Sequence, residues 1–428
     1  MTAHSPRILT DAETQLVRAF ETVCEELPGN EQLKQNRKVA IETLKSNGLP
    51  TRRTEAFHYT DLRALMAAGY QSSPRPDFEA ASSAMLDYER LISSLRVPMV
   101  NGHYFADMGD DLPDGLSIEP GIRAHDLTAD LADSVELINT AFVTDGVNII
   151  VAADARLEGV LTIANSYVGE DKGMAVSRNS VLLKPGAFAR IVDRHCGNDG
   201  KQYLSSAIVD IDIQQGAELN YVLEIEEGDL AQRLSRLNVR LHKDSKLNLF
   251  VLSTGCKLVR QELRFDVLEE GAELNISGIN LIGGTSHLDI TSVITHQAPG
   301  TNATETFRNV ATGRGRGVFQ GQIKVAQEAQ LTDARMACNT LLLSEECDFS
   351  AKPELEIFAD DVQCAHGATV AELEESYLFY LMARGISEKV ARQMLITGFV
   401  AELIEEVNHE GLEEALSERL DVWMERNV

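Results

Sequence analysis

Apolar residues recur along this chain with two different periods, and the change from one to the other divides it. Near the start, Leu16, Phe20, Val23 and Leu27 return every three or four positions, behind Thr10 and Glu13 at capping-box spacing and ahead of the breaker Pro28-Gly29. A helix is predicted there. A second is predicted from about Glu31 through Leu33, Val39, Ile41 and Leu44 to Asn47-Gly48. From about Val97 the texture changes to short β-branched runs broken by Gly and Pro, and stretches such as 207–213 and 263–268 alternate with period two, as strands do. After Thr369 the helical period returns. One helix over 372–384 closes at Gly385, and Ser387 caps another that runs to about Val407.

From Asn148 onward the β region carries a repeat of the form x-Gly-Ala-x-Leu. Its marker positions, Gly186, Gly216, Ser245, Gly271, Gly300 and Glu328, are separated by 30, 29, 26, 29 and 28 residues. A period of that length built from strands predicts a solenoid in which each coil stacks on the next and buries a continuous inner core. A β-sandwich also has short strands with regular turns, but it does not explain a six-fold repeat. The fold class expected is therefore mainly β: a right-handed parallel β-helix over 93–368, with clear repeats from about 148. An N-terminal helical region over 1–92 and a C-terminal helical domain over 369–428 flank it. In the last long helix Ile396, Val400, Leu403 and Val407 form one stripe, while Met394, Leu395, Phe399 and Ile404 widen the apolar surface beyond it. The surplus calls for packing among the C-terminal helices, with Leu416, Leu420 and Trp423, or for another partner.

Charge narrows the possible partners. The 428 residues include 66 acidic and 39 basic side chains, a net charge of −27, which repels nucleic-acid backbones and anionic lipid heads. No stretch approaches the length of a membrane span and the first residues lack a signal-peptide core, so a cytoplasmic protein is expected. The six cysteines, Cys24, Cys196, Cys256, Cys338, Cys347 and Cys364, include no Cys-x-x-Cys pair and read as reduced thiols. Motifs for nucleotide or hydrolytic chemistry are missing: there is no P-loop, no Gly-x-Ser-x-Gly elbow and no His-Glu-x-x-His. The glycine-rich 313–321 stretch reads as a turn, and His195, His287 and His296 read as structural histidines.

The best candidate for chemistry is Cys364 with His366. Residues two apart on a strand share a face with Cα atoms about 7 Å apart, so thiolate and imidazole could reach one soft metal centre just before a turn at Gly367. Two ligands do not close a site, which usually needs about four. Glu354 and Glu356 share a face but read as solvated carboxylates. Cys338 lies 26 residues before Cys364, about one repeat, so in-register coils would make the two sulfurs neighbours.

Residues 352–369, Lys-Pro-Glu-Leu-Glu-Ile-Phe-Ala-Asp-Asp-Val-Gln-Cys-Ala-His-Gly-Ala-Thr, closely resemble the signature of the SufB/SufD family of iron-sulfur cluster assembly proteins. The Cys-x-His-Gly-Ala-Thr ending resembles its SufD branch. Residues 49–62 resemble the family's N-terminal motif, with Phe57 and His58 where Trp and Lys are more usual, and Arg316-Gly317-Val318-Phe319 and Leu341-Leu342-Leu343-Ser344 extend the likeness. The resemblance implies a non-catalytic subunit of the Suf machine, pairing with SufB through the end of the β-helix and with the SufC ATPase through the C-terminal helices. It implies no cofactor held stably by the chain alone. Iron or a nascent cluster would rest on Cys364 and His366 only in the assembled complex, at the SufB interface, and a homodimer of the isolated chain stays open. The alternative is a cytosolic β-helix enzyme acting on carbohydrate, a class that usually lines its groove with more aromatics than a chain with one Trp provides.

Overall fold

A computed structural model describes residues 7–87, 94–122 and 133–428. Between residues 147 and 372 the chain winds through eight coils, each contributing one strand to each of two facing sheets. One sheet stacks Val147–Val151, Gly173–Leu183, Tyr203–Ile213, Gln232–Leu241, Leu258–Val267, His287–His296, Arg316–Val325 and Asp348–Ile357. The other stacks Arg156–Ser166, Phe188–Cys196, Glu218–Glu226, Lys246–Ser253, Glu273–Ile282, Asn302–Ala311, Asp333–Leu342 and Gln363–Glu372. Each strand pairs in parallel with the strand two places on in sequence. The expected solenoid is present, wound flat. At the start Ser94–Val100 adds in parallel to Arg156–Ser166, and Leu116–Pro120 adds antiparallel to Val147–Val151.

Alternation explains the interior. Leu219, Tyr221, Leu223 and Ile225 point inward from one strand, Leu247, Leu249 and Val251 from the next, and all join one core that runs the length of the solenoid. The corners are built on a left-handed residue followed by a small buried one: Gly186-Ala187, Gly216-Ala217, Gly271-Ala272 and Gly300-Thr301. Two marker positions are displaced from the sequence reading. In the third copy Asp244, not Ser245, takes the left-handed conformation, and in the sixth Leu331 does so rather than Glu328. Ser245 and Thr332 occupy the small buried place, each below 2% exposure. The third corner, 242–245, is as long as the first two and the sixth, 326–332, is longer, and neither has a glycine to mark the φ > 0 position.

Helices cover both outer faces. On the first sheet lie Asp11–Val23, Glu31–Asn47 and Ser134–Phe142, whose apolar sides meet Met174, Val176, Leu204 and Leu234. Thr10 and Glu13 close the expected capping box. A buried ionic seam fixes this layer: Glu136 pairs with Arg178 and Arg236, Asp133 with Arg236 and Arg264, and Glu262 with Arg236 at 2.7 Å. On the second sheet lie Glu388–Glu405 and Glu410–Asn427, with Ile396, Val400, Leu403, Leu416 and Trp423 packed on Val192, Val222, Phe250 and Ile279. Most of the apolar stripe is therefore used within the chain. The preceding helix starts later than the sequence suggests, at Glu375, because strand pairing continues through Glu372. Among the described residues no helix is long and apolar enough to cross a membrane.

Candidate functional site at the open end of the solenoid

The last coil has no ninth coil stacked on it. Gln363–Glu372 pairs on one side with Asp333–Leu342 and presents its other edge to solvent, and apart from the half-buried Cys364 its side chains are exposed. Ile357, Phe358 and Val370 add exposed apolar surface there, and helix Glu375–Met382 follows with no buried residue, leaving Tyr377, Phe379 and Tyr380 more than half exposed. An unpaired edge beside bare apolar side chains is a surface that invites pairing.

Cys364 and His366 stand on this strand. Cys364 pairs with Ala334 and His366 with Met336, and Cys364 packs partly against the solenoid core, so the pair shares the inward face at the mouth of the lumen. Burial pushes the Cys364 thiol up, partly offset by a hydrogen bond from the Ala334 backbone. Burial thus favours the neutral thiol, and a nearby cation would favour the thiolate. Among the described residues no group of three or more His, Cys, Asp or Glu side chains is placed to hold a metal ion. Among the described residues Cys364 and His366 therefore stand as a pair without a third such side chain placed beside them.

Three details differ from the sequence reading. Gly367 is not in a turn: the strand runs through it to Glu372, and the turn lies before the pair, at 358–362. Cys338 is not the neighbour of Cys364, because the five-residue connections 343–347 and 358–362 make the local repeat 30 residues and Ala334 takes that register; Cys338 pairs with Ala368. It is fully buried, accepts a hydrogen bond from Asn309 Nδ2 at 3.3 Å, and its thiol is pushed up to about 12 by burial. The 313–321 stretch turns only at its start, since Arg316–Val325 is a strand. Glu354 and Glu356 pair with Lys352 and Lys324 at 3.0 and 3.6 Å on the surface, as solvated carboxylates do.

The N-terminal motif reaches the same end. Glu55 pairs with Lys352 of the last coil at 2.7 Å, the Phe57 ring lies 4.8 Å from the Arg260 guanidinium, and Thr60 donates to Asp289 at 2.5 Å while contacting His287 Nε2 at 2.9 Å. With Gln320 Nε2 donating to the Ala56 carbonyl at 3.4 Å, residues 55–60 thus clasp the last four coils on the outer face of the first sheet. His195 and His296 serve the interior, beside Asp193 at 3.1 Å and Thr301 at 2.8 Å. Sequence reasoning missed Glu305, a fully buried carboxyl on the inward face two strands below His366. The signal was present, since alternation from Ala303 to Phe307 places Glu305 inward. A cleft of about 1000 Å³ lies elsewhere, bordered by Arg194, Cys256, Arg419 and Trp423, and includes no residue of the last coil.

Comparison with known proteins adds a family. The family described as SUF system FeS cluster assembly, SufBD core domain, matches residues 162–399, and the SufBD protein N-terminal region matches 10–163. The chain is 28% identical over 393 residues to the iron-sulfur cluster assembly protein SufD of Escherichia coli, covering 89% of this chain and 90% of that one. It is 28% identical over 415 residues to the chloroplastic protein ABCI7 of Arabidopsis thaliana, covering 91% and 86%. It is 25% identical over 432 residues to a SufBD family iron-sulfur cluster assembly protein of Synechocystis, covering 94% and 95%.

Proposed function

Because the chain belongs to the SufBD family of the SUF iron-sulfur cluster assembly system, we propose that it works there as a non-catalytic subunit, pairing with SufB through the open end of the solenoid and with the SufC ATPase through its C-terminal helices. The observation that carries the reading is the uncapped last strand, exposed along Gln363–Glu372 with Cys364 and His366 on its inward face. A second solenoid docked on that edge would satisfy its backbone groups and bring further donors to the two already there. Iron, or the growing cluster, is then cargo held between subunits rather than a resident cofactor. A site that neither chain closes alone also releases its cargo readily, which suits assembly better than storage.

The SufC assignment rests on Tyr377, Phe379, Tyr380 and Met382, apolar side chains that Glu375–Met382 leaves uncovered. The sequence has no P-loop, so nucleotide hydrolysis is supplied by the partner. The cytoplasm is the expected compartment, in keeping with six unpaired cysteines. An isolated chain has the same edge to cover, and a homodimer through it is the expected substitute. The carbohydrate-enzyme alternative does not fit membership of a family of assembly components.

Co-expression with SufB and SufC followed by affinity purification tests the assignment. The full chain should retain both partners, and truncation near Ala371 should lose SufC while the β core stays folded by circular dichroism. SufC retained by the truncated chain would refute the docking surface.

A further inference from the structure

The lumen beneath the open end holds a carboxyl group that the fold leaves uncompensated. In strand Asn302–Ala311 the inward positions are Ala303, Glu305, Phe307 and Asn309, none more than 2% exposed. The ladder neighbours of Glu305 are Ile276 below and Met336 above, and neither offers a polar atom to it. Ser292, also fully buried, faces it and favours the ionised form without an aligned hydrogen bond; among the described residues both Glu305 oxygens and the Ser292 hydroxyl lack a partner. A buried carboxylate in such surroundings costs several kcal/mol unless a cation answers it, and burial accordingly raises the group to about 7.

The charged and titratable groups around it are few. On the strand above stands Cys338, a neutral thiol, and one strand further stand Cys364 and His366. The inward side chains of Glu273–Ile282 near it, Ile276 and Gly278, carry no charge, and neither do Phe319 and Gly321 of Arg316–Val325. Met336 lies over Gly321, whose Cβ would meet its sulfur at 2.4 Å, so an apolar plug separates the acid from the mouth. Two strand spacings put the backbones of Glu305 and His366 about 10 Å apart.

We propose that Glu305 is the counter-charge for a divalent metal ion held at Cys364 and His366, so that a cation arriving above it favours the carboxylate and the carboxylate in turn tightens the cation site. The inference rests on the reading of those two residues as metal donors. Across about 10 Å of low-dielectric interior a doubly charged ion and a carboxylate attract strongly enough to change affinity roughly tenfold or more. The coupling is reciprocal. On binding, the Cys364 S–H bond breaks as the metal–sulfur bond forms, and its proton passes to solvent at the open mouth. A second proton leaves the Glu305 carboxyl whenever that group is still neutral.

Ferrous iron titrated anaerobically into the full-length chain co-purified with SufB provides the test. At about pH 8, Glu305→Gln should bind iron roughly tenfold more weakly than the parent, and at about pH 5, where the acid is neutral in both states, the two should bind alike. At about pH 6.5 the parent should release about half a proton more per iron than the variant. Glu305→Met, apolar and of similar length, should repeat the pattern and guards against a defect peculiar to Gln. Unchanged iron affinity at about pH 8 in both variants would overturn the proposal while leaving the donor reading intact. Iron affinity unaffected by Cys364→Ser with His366→Ala would instead remove the donor reading, and the proposal with it.

Discussion

Replacing Arg236 by Met should destabilise the protein by about 3–5 kcal/mol, the cost of leaving buried charges without their partner. The guanidinium is 2% exposed and holds Glu262 through two nitrogens at 2.7 and 3.0 Å, Glu136 at 3.1 Å, and Asp133, the residue that caps helix Ser134–Phe142. Burial alone would raise Glu262, but Arg236, Arg260 and Arg264 outweigh it and hold its carboxyl well below the ordinary range. Met keeps most of the volume, so the loss isolates charge rather than packing. Glu136 keeps Arg178, Asp133 keeps Arg264 and Glu262 keeps Arg260, which bounds the effect below the loss of three complete pairs. Against a typical domain stability of about 5–15 kcal/mol this is a large fraction. Guanidinium unfolding followed by circular dichroism measures it, and hydrogen exchange should show Ser134–Phe142 opening first. Arg335→Met, at an exposed pair with Asp333, serves as the control and should stay within roughly 0.5 kcal/mol. A loss under about 1 kcal/mol for Arg236→Met would refute the view that this seam fixes the N-terminal layer.

Two buried titrations should act with opposite sign. Burial lowers His296 to about 4, so its stabilising contribution, about 3 kcal/mol, is present above pH 6.5 and lost as pH falls toward 4; His296→Gln should flatten the acid limb of a melting-temperature profile. Burial raises Glu305 to about 7, so its contribution is lost as pH rises from about 4.5 through 7, and Glu305→Gln should stabilise the metal-free chain by about 3 kcal/mol above that range; equal melting temperatures at about pH 8 would contradict it. Gly278→Ala should cost about 1–3 kcal/mol in chemical denaturation, since its Cβ would stand 2.1 Å from the fully buried Phe307 ring.

The solenoid was legible because its period is carried by residues with a physical reason to recur: left-handed glycines at corners and small residues behind them. It blurred where Asp244 and Leu331 adopt that conformation without being glycine, and a spacing of 26 residues places Cys338 beside Cys364 only if the local repeat is as short as the shortest marker interval, whereas it is 30. Alternation alone gave the shared face of Cys364 and His366. It could not show that Gly367 lies within a strand, because a glycine in extended backbone and a glycine in a turn look alike in sequence. The ionic seam under Ser134–Phe142 joins residues up to 131 apart, a contact no local pattern encodes. The surplus apolar surface assigned to helix Glu388–Glu405 proved mostly internal, packed on the second sheet, with Met394 left half exposed, while the larger exposed surface belongs to Glu375–Met382.

The measurement closest to the central claim is the iron and acid-labile sulfide content of the assembled complex, purified anaerobically with native chain and with the Cys364→Ser and His366→Ala variants. On the proposed reading, in which the pair supplies half of an inter-subunit site, each variant should assemble normally and keep its melting temperature, yet carry several-fold less iron and sulfide. Unchanged loading in both variants, with the complex intact, would contradict the account.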